Sequence, residues 1–298
     1  MSDILTEKSN SRTKNIDLMS TKEIICAINK EDKKVAKAVE KAIPEITRSV
    51  DIITKSLLDG GRLAYFGAGT SGRLGILDAS ECWPTFSMPE GRICAYIAGG
   101  DYALRHSVEG AEDDKKEAVK HLKEFNPSKK DVVVGISASG NPQYILTVLS
   151  EAKKKGAKTI ALTSNPNAKT KDIADITITT AVGPEVITGS SRMKSGTAQK
   201  MVLNMLSTAT MVKIGKTYGN YMIDLQLACT KLTDRGNRII AAICKIPVAK
   251  ANDYRIKADN NIKIACVMYL KQCTKQTAEK LLKQHNGILR KVLTDEKF

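Results

Sequence analysis

Between Asp32 and about Leu58 apolar residues recur at spacings of three and four, at Val35, Val39, Ile43, Ile46, Val50 and Ile53. That period gives a helical stretch one buried face, and Pro44 inside it predicts a kink or a division. Ahead of it, Ser20-Thr21-Lys22-Glu23 reads as a helix start leading into Ile24, Ile25 and Ile28, whereas residues 1–20 are polar and aperiodic. After Asp59-Gly60-Gly61 the pattern changes to short apolar runs: LAYFGAG, ICAYIAGG, DVVVGISASG, KTIALTSN and ITITTAV. Helical patterns separate them over Asp113 to Phe125, Pro142 to Lys155 and, briefly, Lys169 to Ile173. Five strands alternating with helices predict a parallel sheet flanked by helices, a doubly wound α/β fold, in which ligands sit at the carboxyl ends of the strands.

A long helix follows from about Lys194 to Lys216, with Ala198, Val202, Met205, Ala209 and Val212 repeating at four and three. Such a stripe suits a core or a subunit interface. Beyond Thr233 the chain is helical and Lys-rich, punctuated by Pro247 and Gly287, with an apolar face through Ile262, Ala265, Val267, Met268 and Leu270. The expected organisation is an N-terminal helical segment over residues 1–58, an α/β domain over 59–233 and a small all-α unit over 234–298. A chain of 298 residues accommodates one large or two modest domains.

Composition narrows the function classes. No run approaches the roughly 20 apolar residues that span a bilayer, and MSDILTEKSNSRTK lacks the apolar core of a signal peptide. The expected compartment is the cytoplasm, with no membrane partner. The seven cysteines (26, 82, 94, 229, 244, 266 and 273) form an odd, scattered set without a C-x-x-C pair, so they read as reduced thiols. His106, His121 and His285 lack metal-ligand spacing, and no catalytic metal is expected. The 47 basic residues exceed the 32 acidic ones, a formal charge of +15. Because the lysines are spread along helix surfaces, as at Lys153, Lys154 and Lys155, they read as a solvated face rather than a nucleic-acid site. Their field would still favour an anionic, phosphorylated substrate.

Three loops carry candidate chemistry. Gly67-Ala68-Gly69-Thr70-Ser71-Gly72 follows a strand and opens a helix, matching G-x-G-x-x-G. A dinucleotide site would also want an acidic residue about 20 positions on, and Asp101 comes late. Ser137-Ala138-Ser139-Gly140-Asn141-Pro142 ends the third strand, with Asn141 as expected cap and Pro142 as the first helical residue. Ser190, Ser191, Arg192 and Lys194 lie in a third cluster, Gly189 to Thr197, before the long helix, and add two cations. Small residues admit a ligand to the backbone, hydroxyls donate, and helix N-termini present N–H groups, so the three together suit a sugar phosphate, although each alone is also ordinary turn chemistry. Glu81, in DASECWP, and Glu112, in EGAEDD at a helix start, are the candidate acid and base. Acidic residues at helix starts are also common for dipole reasons alone, but two carboxylates in unlike environments divide acid and base roles well.

The segments FGAGTSGRLGILDASECWPTF, HSVEGAEDD, GISASGNP and TGSSRMKSGTAQKMVLNMLSTATM closely resemble the N-acetylmuramic acid 6-phosphate etherases of the sugar isomerase (SIS) superfamily. With SRTKNIDLMSTKEIICAINKED and LTDRGNRII the resemblance spans essentially the whole chain. It implies an SIS-type fold and a carbon–oxygen lyase that splits the lactyl ether of N-acetylmuramic acid 6-phosphate into N-acetylglucosamine 6-phosphate and D-lactate during cell-wall sugar recycling. It also implies that no metal or redox cofactor is needed and that the enzyme is a homodimer. The catalytic glutamates of the family fall on Glu81, expected as the acid that protonates the leaving lactate and later activates water, and on Glu112, expected as the C2 base, and the reverse order also fits. The phosphate contacts fall on Thr70, Ser71, Ser137 and Ser139, with Ser190, Ser191, Arg192 and Lys194 beside them. Two departures stand out: Trp83 replaces the usual proline, and Asn141-Pro142-Gln143 replaces an R-T-P run, so one contact is lost or supplied elsewhere. The rival readings are a sugar-phosphate isomerase, against which both glutamate motifs argue, and a non-catalytic sugar-phosphate regulator, which could dispense with them.

Overall fold

The computed structural model describes residues 5–294, so the outer ends of the segments expected to begin at 1 and finish at 298 lie outside the described residues. The helices are α1 (Thr21–Asp32), α2 (Val35–Glu40), α3 (Ile43–Leu58), α4 (Gly69–Phe86), α5 (Lys115–Phe125), α6 (Gln143–Lys154) and α7 (Lys194–Lys213). The strands are β1 (Leu63–Gly67), β2 (Ile93–Ile97), β3 (Val132–Ile136), β4 (Lys158–Thr163) and β5 (Ile176–Thr179). Ser20 and Glu23 close a reciprocal capping box at α1, and the expected division at Pro44 falls just inside the start of α3.

All five strands are parallel, in the order β2-β1-β3-β4-β5, with Leu63 opposite both Ile93 and Val132. β1 and β3 are buried at every position, which is why they read as uninterrupted apolar runs. One face packs Ala64, Phe66 and Val133 against Leu122, Phe125, Ile145 and Leu149 of α5 and α6. On the other, α3 covers the sheet, and Tyr65 donates to Asp78 of α4 at 3.0 Å. Asp78 also accepts from Asn204 and Ser207 of α7, both at 3.0 Å, and burial pushes its carboxyl above the ordinary value. Helices on both faces make this the doubly wound α/β architecture.

The chain forms two compact units, Met1–Ser80 with Gly91–Ala209, and Glu81–Glu90 with Thr210–Phe298. The first holds the sheet and the N-terminal helices together; the second begins earlier than the expected boundary at 234 and takes in the 81–90 segment. In the second unit a short hairpin, β6 (Thr217–Tyr218) and β7 (Tyr221–Met222), precedes α8 (Thr230–Cys244), α9 (Val248–Lys257), α10 (Ile262–Leu270), α11 (Lys275–Gln284) and α12 (Leu289–Thr294). Ile240, Ala251, Ala265, Cys266, Leu281 and Leu289 form its core. The 81–90 segment is held there by the Gln226 N–H on the Pro84 carbonyl and by Ser87 Oγ on the Asp224 carbonyl. Among the described residues no helix is long and apolar enough to cross a membrane.

Candidate active site

Strand order reverses between β1 and β3, the place where an open parallel sheet leaves a crevice at its carboxyl edge. A cavity of about 390 Å³ opens there in the first unit. The turn after β1 contributes Ala68 to Ser71, the loop after β3 contributes Ser137, Ala138 and Ser139, and Glu112, Gly189 and Ser191 complete the part of the wall that the sequence singled out.

Close approach of backbone to backbone builds the first loop. A Cβ on Gly67 would stand 2.4 Å from the Gly72 nitrogen, so only glycine lets β1 run straight into the first turn of α4. The Ala68 carbonyl accepts from Ser71 and Gly72, which tightens that turn. Gly67→Ala is expected to weaken sugar-phosphate binding at least about tenfold and to cost ~1–3 kcal/mol of stability through overpacking; a ligand titration and a denaturant melt check the two effects.

In the second loop the backbone N–H of Gly140 donates to Ser137 Oγ at 3.1 Å and that of Asn141 to Ser139 Oγ at 3.4 Å. Both hydroxyls therefore use lone pairs inward, and their protons are not engaged in these bonds. The helix behind this loop begins one residue later than expected: Pro142 is the cap and Gln143 the first helical residue. Asn141 is not a helix cap; its side-chain oxygen accepts from the Lys169 N–H at 3.1 Å.

The third cluster divides. Ser191 lines the cavity, while Ser190 and the exposed Arg192 are outside its wall. Lys194 corrects the expectation of a phosphate cation. It is completely buried, with Nζ 2.8 Å from a Glu31 carboxylate oxygen and 2.9 Å from the Val182 carbonyl. The first N–H groups of α7, at Lys194 and Ser195, already donate to the buried Glu185 carboxylate at 3.0 and 2.9 Å. That helix start is thus closed by a carboxylate of the chain itself.

Glu112 sits in a short 3-10 turn, Ala111–Asp113, behind Gly110 in the left-handed region at φ +73°. Asp114, not Glu112, caps the following helix by accepting from Lys116 and Glu117. Glu112 is exposed by surface area, and the partial desolvation of its carboxyl against the cavity wall pushes it above its ordinary value, with the charge of Asp113 adding to the shift. Glu81 lies on the stretch of α4 that belongs to the second unit, where it is exposed. Trp83 is exposed beside it.

Among the wall residues that the sequence reading did not single out are Thr6, Glu7, Arg73 and His106. Arg73 holds the 101–106 turn by donating to the carbonyls of Ala103, Leu104 and His106. Thr6 and Glu7 come from the aperiodic N-terminus. They are placed by the Gly189 N–H on the Thr6 carbonyl, by Asn10 on Pro184, and by Thr13 on Val186 at 2.8 Å. Nothing in local pattern marks them, because the partners are more than 170 positions away.

Residues 45–153 match the glucokinase regulatory protein N-terminal SIS domain family, and residues 106–209 match the SIS domain family. The chain is 50% identical to the N-acetylmuramic acid 6-phosphate etherase of Actinobacillus pleuropneumoniae serotype 5b (strain L20), over 99% of this chain and 97% of that one. It is 46% identical to the protein of the same name from Escherichia coli O1:K1 / APEC, over 98% of both chains. Among solved structures, phosphoheptose isomerase from Neisseria gonorrhoeae superposes with a TM-score of 0.48 at 17% identity, covering 64% of this chain and 98% of that one.

Proposed function

The chain belongs to the N-acetylmuramic acid 6-phosphate etherases, and from that premise we propose how its residues carry out the reaction. The enzyme is a carbon–oxygen lyase that splits N-acetylmuramic acid 6-phosphate and water into N-acetylglucosamine 6-phosphate and D-lactate. The observation that best supports the site is the cavity at the strand-order reversal, whose wall combines anion-type hydroxyl loops with one carboxylate of raised proton affinity.

An unactivated ether resists direct displacement. In the ring-opened sugar the C1 aldehyde acidifies the C2 proton, and the lactyl oxygen on C3 lies β to that carbonyl. Removal of the C2 proton followed by departure of lactate gives a C2–C3 double bond, and water then adds across it: its oxygen goes to C3, a proton returns to C2, and the carbon skeleton is neither oxidised nor reduced overall. Each proton transfer by a positioned group contributes typically ~10²–10⁴-fold. Glu112 is assigned as the C2 base, because a carboxylate of raised proton affinity is the better proton acceptor. Glu81 is assigned as the acid that protonates lactate and then activates water, by its place in the S-E-C motif. Thr70, Ser71, Ser137, Ser139 and Ser191 are assigned to the phosphosugar. The homodimer and the cytoplasmic location belong to the same proposal and rest on the family resemblance.

Purified protein incubated with N-acetylmuramic acid 6-phosphate, without added metal, is expected to release D-lactate and N-acetylglucosamine 6-phosphate in equal amounts. Binding of the phosphosugar without lactate release would overturn the etherase reading in favour of a regulator, and an isomerised sugar with its ether intact would favour the isomerase.

A further inference from the structure

Two buried polar atoms at the start of α7 have no hydrogen-bond partner: Ser195 Oγ and Gln199 Nε2, on side chains that are 0% and 1% exposed. The other end of the same amide is engaged, since Gln199 Oε1 accepts the hydroxyl proton of Ser71 at 3.0 Å. Ser71 stands on the cavity wall in the first turn of α4. The first turn of α7 lies against that loop, because a Cβ on Gly196 would stand 3.3 Å from the Thr70 methyl.

This arrangement gives Ser71 the wrong polarity for an anion. Its proton points at Gln199, leaving only lone pairs for the cavity, whereas Ser137 and Ser139 accept from backbone N–H groups, in bonds that do not engage their protons. Turning the Gln199 amide by half a rotation exchanges two ends of nearly equal shape. Nε2 then donates to Ser71 Oγ, and Oε1 takes the position where Nε2 had no partner. The donors then run one way, from Gln199 to Ser71 to the bound anion.

We infer that Gln199 is a positioning residue that sets the polarity of the Ser71 hydroxyl for the substrate phosphate, acting through Ser71 without touching the sugar. The inference rests on the sugar-phosphate reading of the cavity. A hydrogen bond to a charged group is involved, so its loss is expected to weaken binding about 10- to 100-fold.

The test measures Kd for N-acetylglucosamine 6-phosphate and for unphosphorylated N-acetylglucosamine, with wild type, Ser71→Ala, Gln199→Met, Gln199→Glu and the Ser71→Ala/Gln199→Met double variant. Gln199→Met and Ser71→Ala are each expected to weaken the phosphorylated ligand by that factor and to leave the unphosphorylated one unchanged. Gln199→Glu, an acceptor that fixes the Ser71 proton inward, should be at least as weak. The double variant should match Ser71→Ala within about threefold, and in turnover KM should rise far more than kcat falls. Wild-type-like binding by Gln199→Met, or losses that multiply in the double variant, would overturn the inference. So would unchanged binding by Ser71→Ala, whatever the stability of the Gln199 variants. Wild type that binds the phosphorylated sugar no tighter than the unphosphorylated one would instead remove the sugar-phosphate reading, and this inference with it.

Discussion

Glu112→Gln is expected to lower kcat by roughly 10²–10⁴-fold while the folded protein still binds N-acetylglucosamine 6-phosphate, because glutamine keeps the shape of the wall and loses the proton acceptor. Deuterium oxide separates the two half-reactions. Wild type should place solvent deuterium on C2 of the product; Glu112→Gln should lose that exchange along with lactate release, and Glu81→Gln should keep exchange while losing lactate release. The opposite pattern would interchange the two roles. A pH profile gives an independent check. A base works only when ionised, so kcat/KM should fall on the acid side as Glu112 takes up its proton, at a higher pH than an ordinary carboxylate because partial desolvation and Asp113 both favour the protonated form. Asp113→Asn removes one of those causes, lowers the proton affinity of Glu112 and should move the acid limb to lower pH. A limb that stays in place, or moves up, would separate Glu112 from the ionisation that controls the rate.

The sheet was legible in the sequence because strands buried on both faces are written as unbroken apolar runs, and Leu63 to Gly67 and Val132 to Ile136 are buried throughout. The loops at its carboxyl edge were legible because turn and anion chemistry depends on adjacent residues. The 81–90 segment was harder to read, since α4 continues through Pro84 to Phe86 and carries Glu81 into the second unit. Long-range partners were not legible at all. Lys194 looked like a free cation beside a serine-rich loop, yet its carboxylate partner is 163 positions away. Thr6 and Glu7 reach the cavity wall through hydrogen bonds between the N-terminal segment and the distant backbone of residues 184–189, which leave no local pattern. The family resemblance makes Ser71 a phosphate donor, whereas the contact of its hydroxyl with Gln199, on another helix, leaves no mark in the local sequence.

Glu31→Ala should destabilise the first unit by about 3–5 kcal/mol, since removing one partner leaves a buried charge uncompensated. Glu31 is 1% exposed and receives Lys194 at 2.8 Å, Arg12 at 2.6 Å and Lys34. Arg12 and Lys34 are partly exposed and can turn to water at little cost. Lys194 is fully enclosed and retains only the Val182 carbonyl. The loss should therefore come mainly from the orphaned ammonium, and Glu31→Leu/Lys194→Met, which removes both charges, should recover much of it. The pH dependence has a definite sign. Although burial alone would raise it, the hydrogen bonds from Arg12, Lys194 and Lys34 hold the Glu31 carboxyl far below its ordinary value near 4.5. Its stabilisation is therefore fully present above that ordinary value and is lost as pH falls through the lower folded value, so Glu31→Gln should flatten the acid side of the stability profile. Because Lys194 begins α7 immediately after the loop that brings Ser191 to the cavity, Glu31→Ala should also raise KM more than it lowers kcat. A denaturant melt of Glu31→Ala within about 1 kcal/mol of wild type would mean that water reaches Lys194 and that the pair is no buried lock.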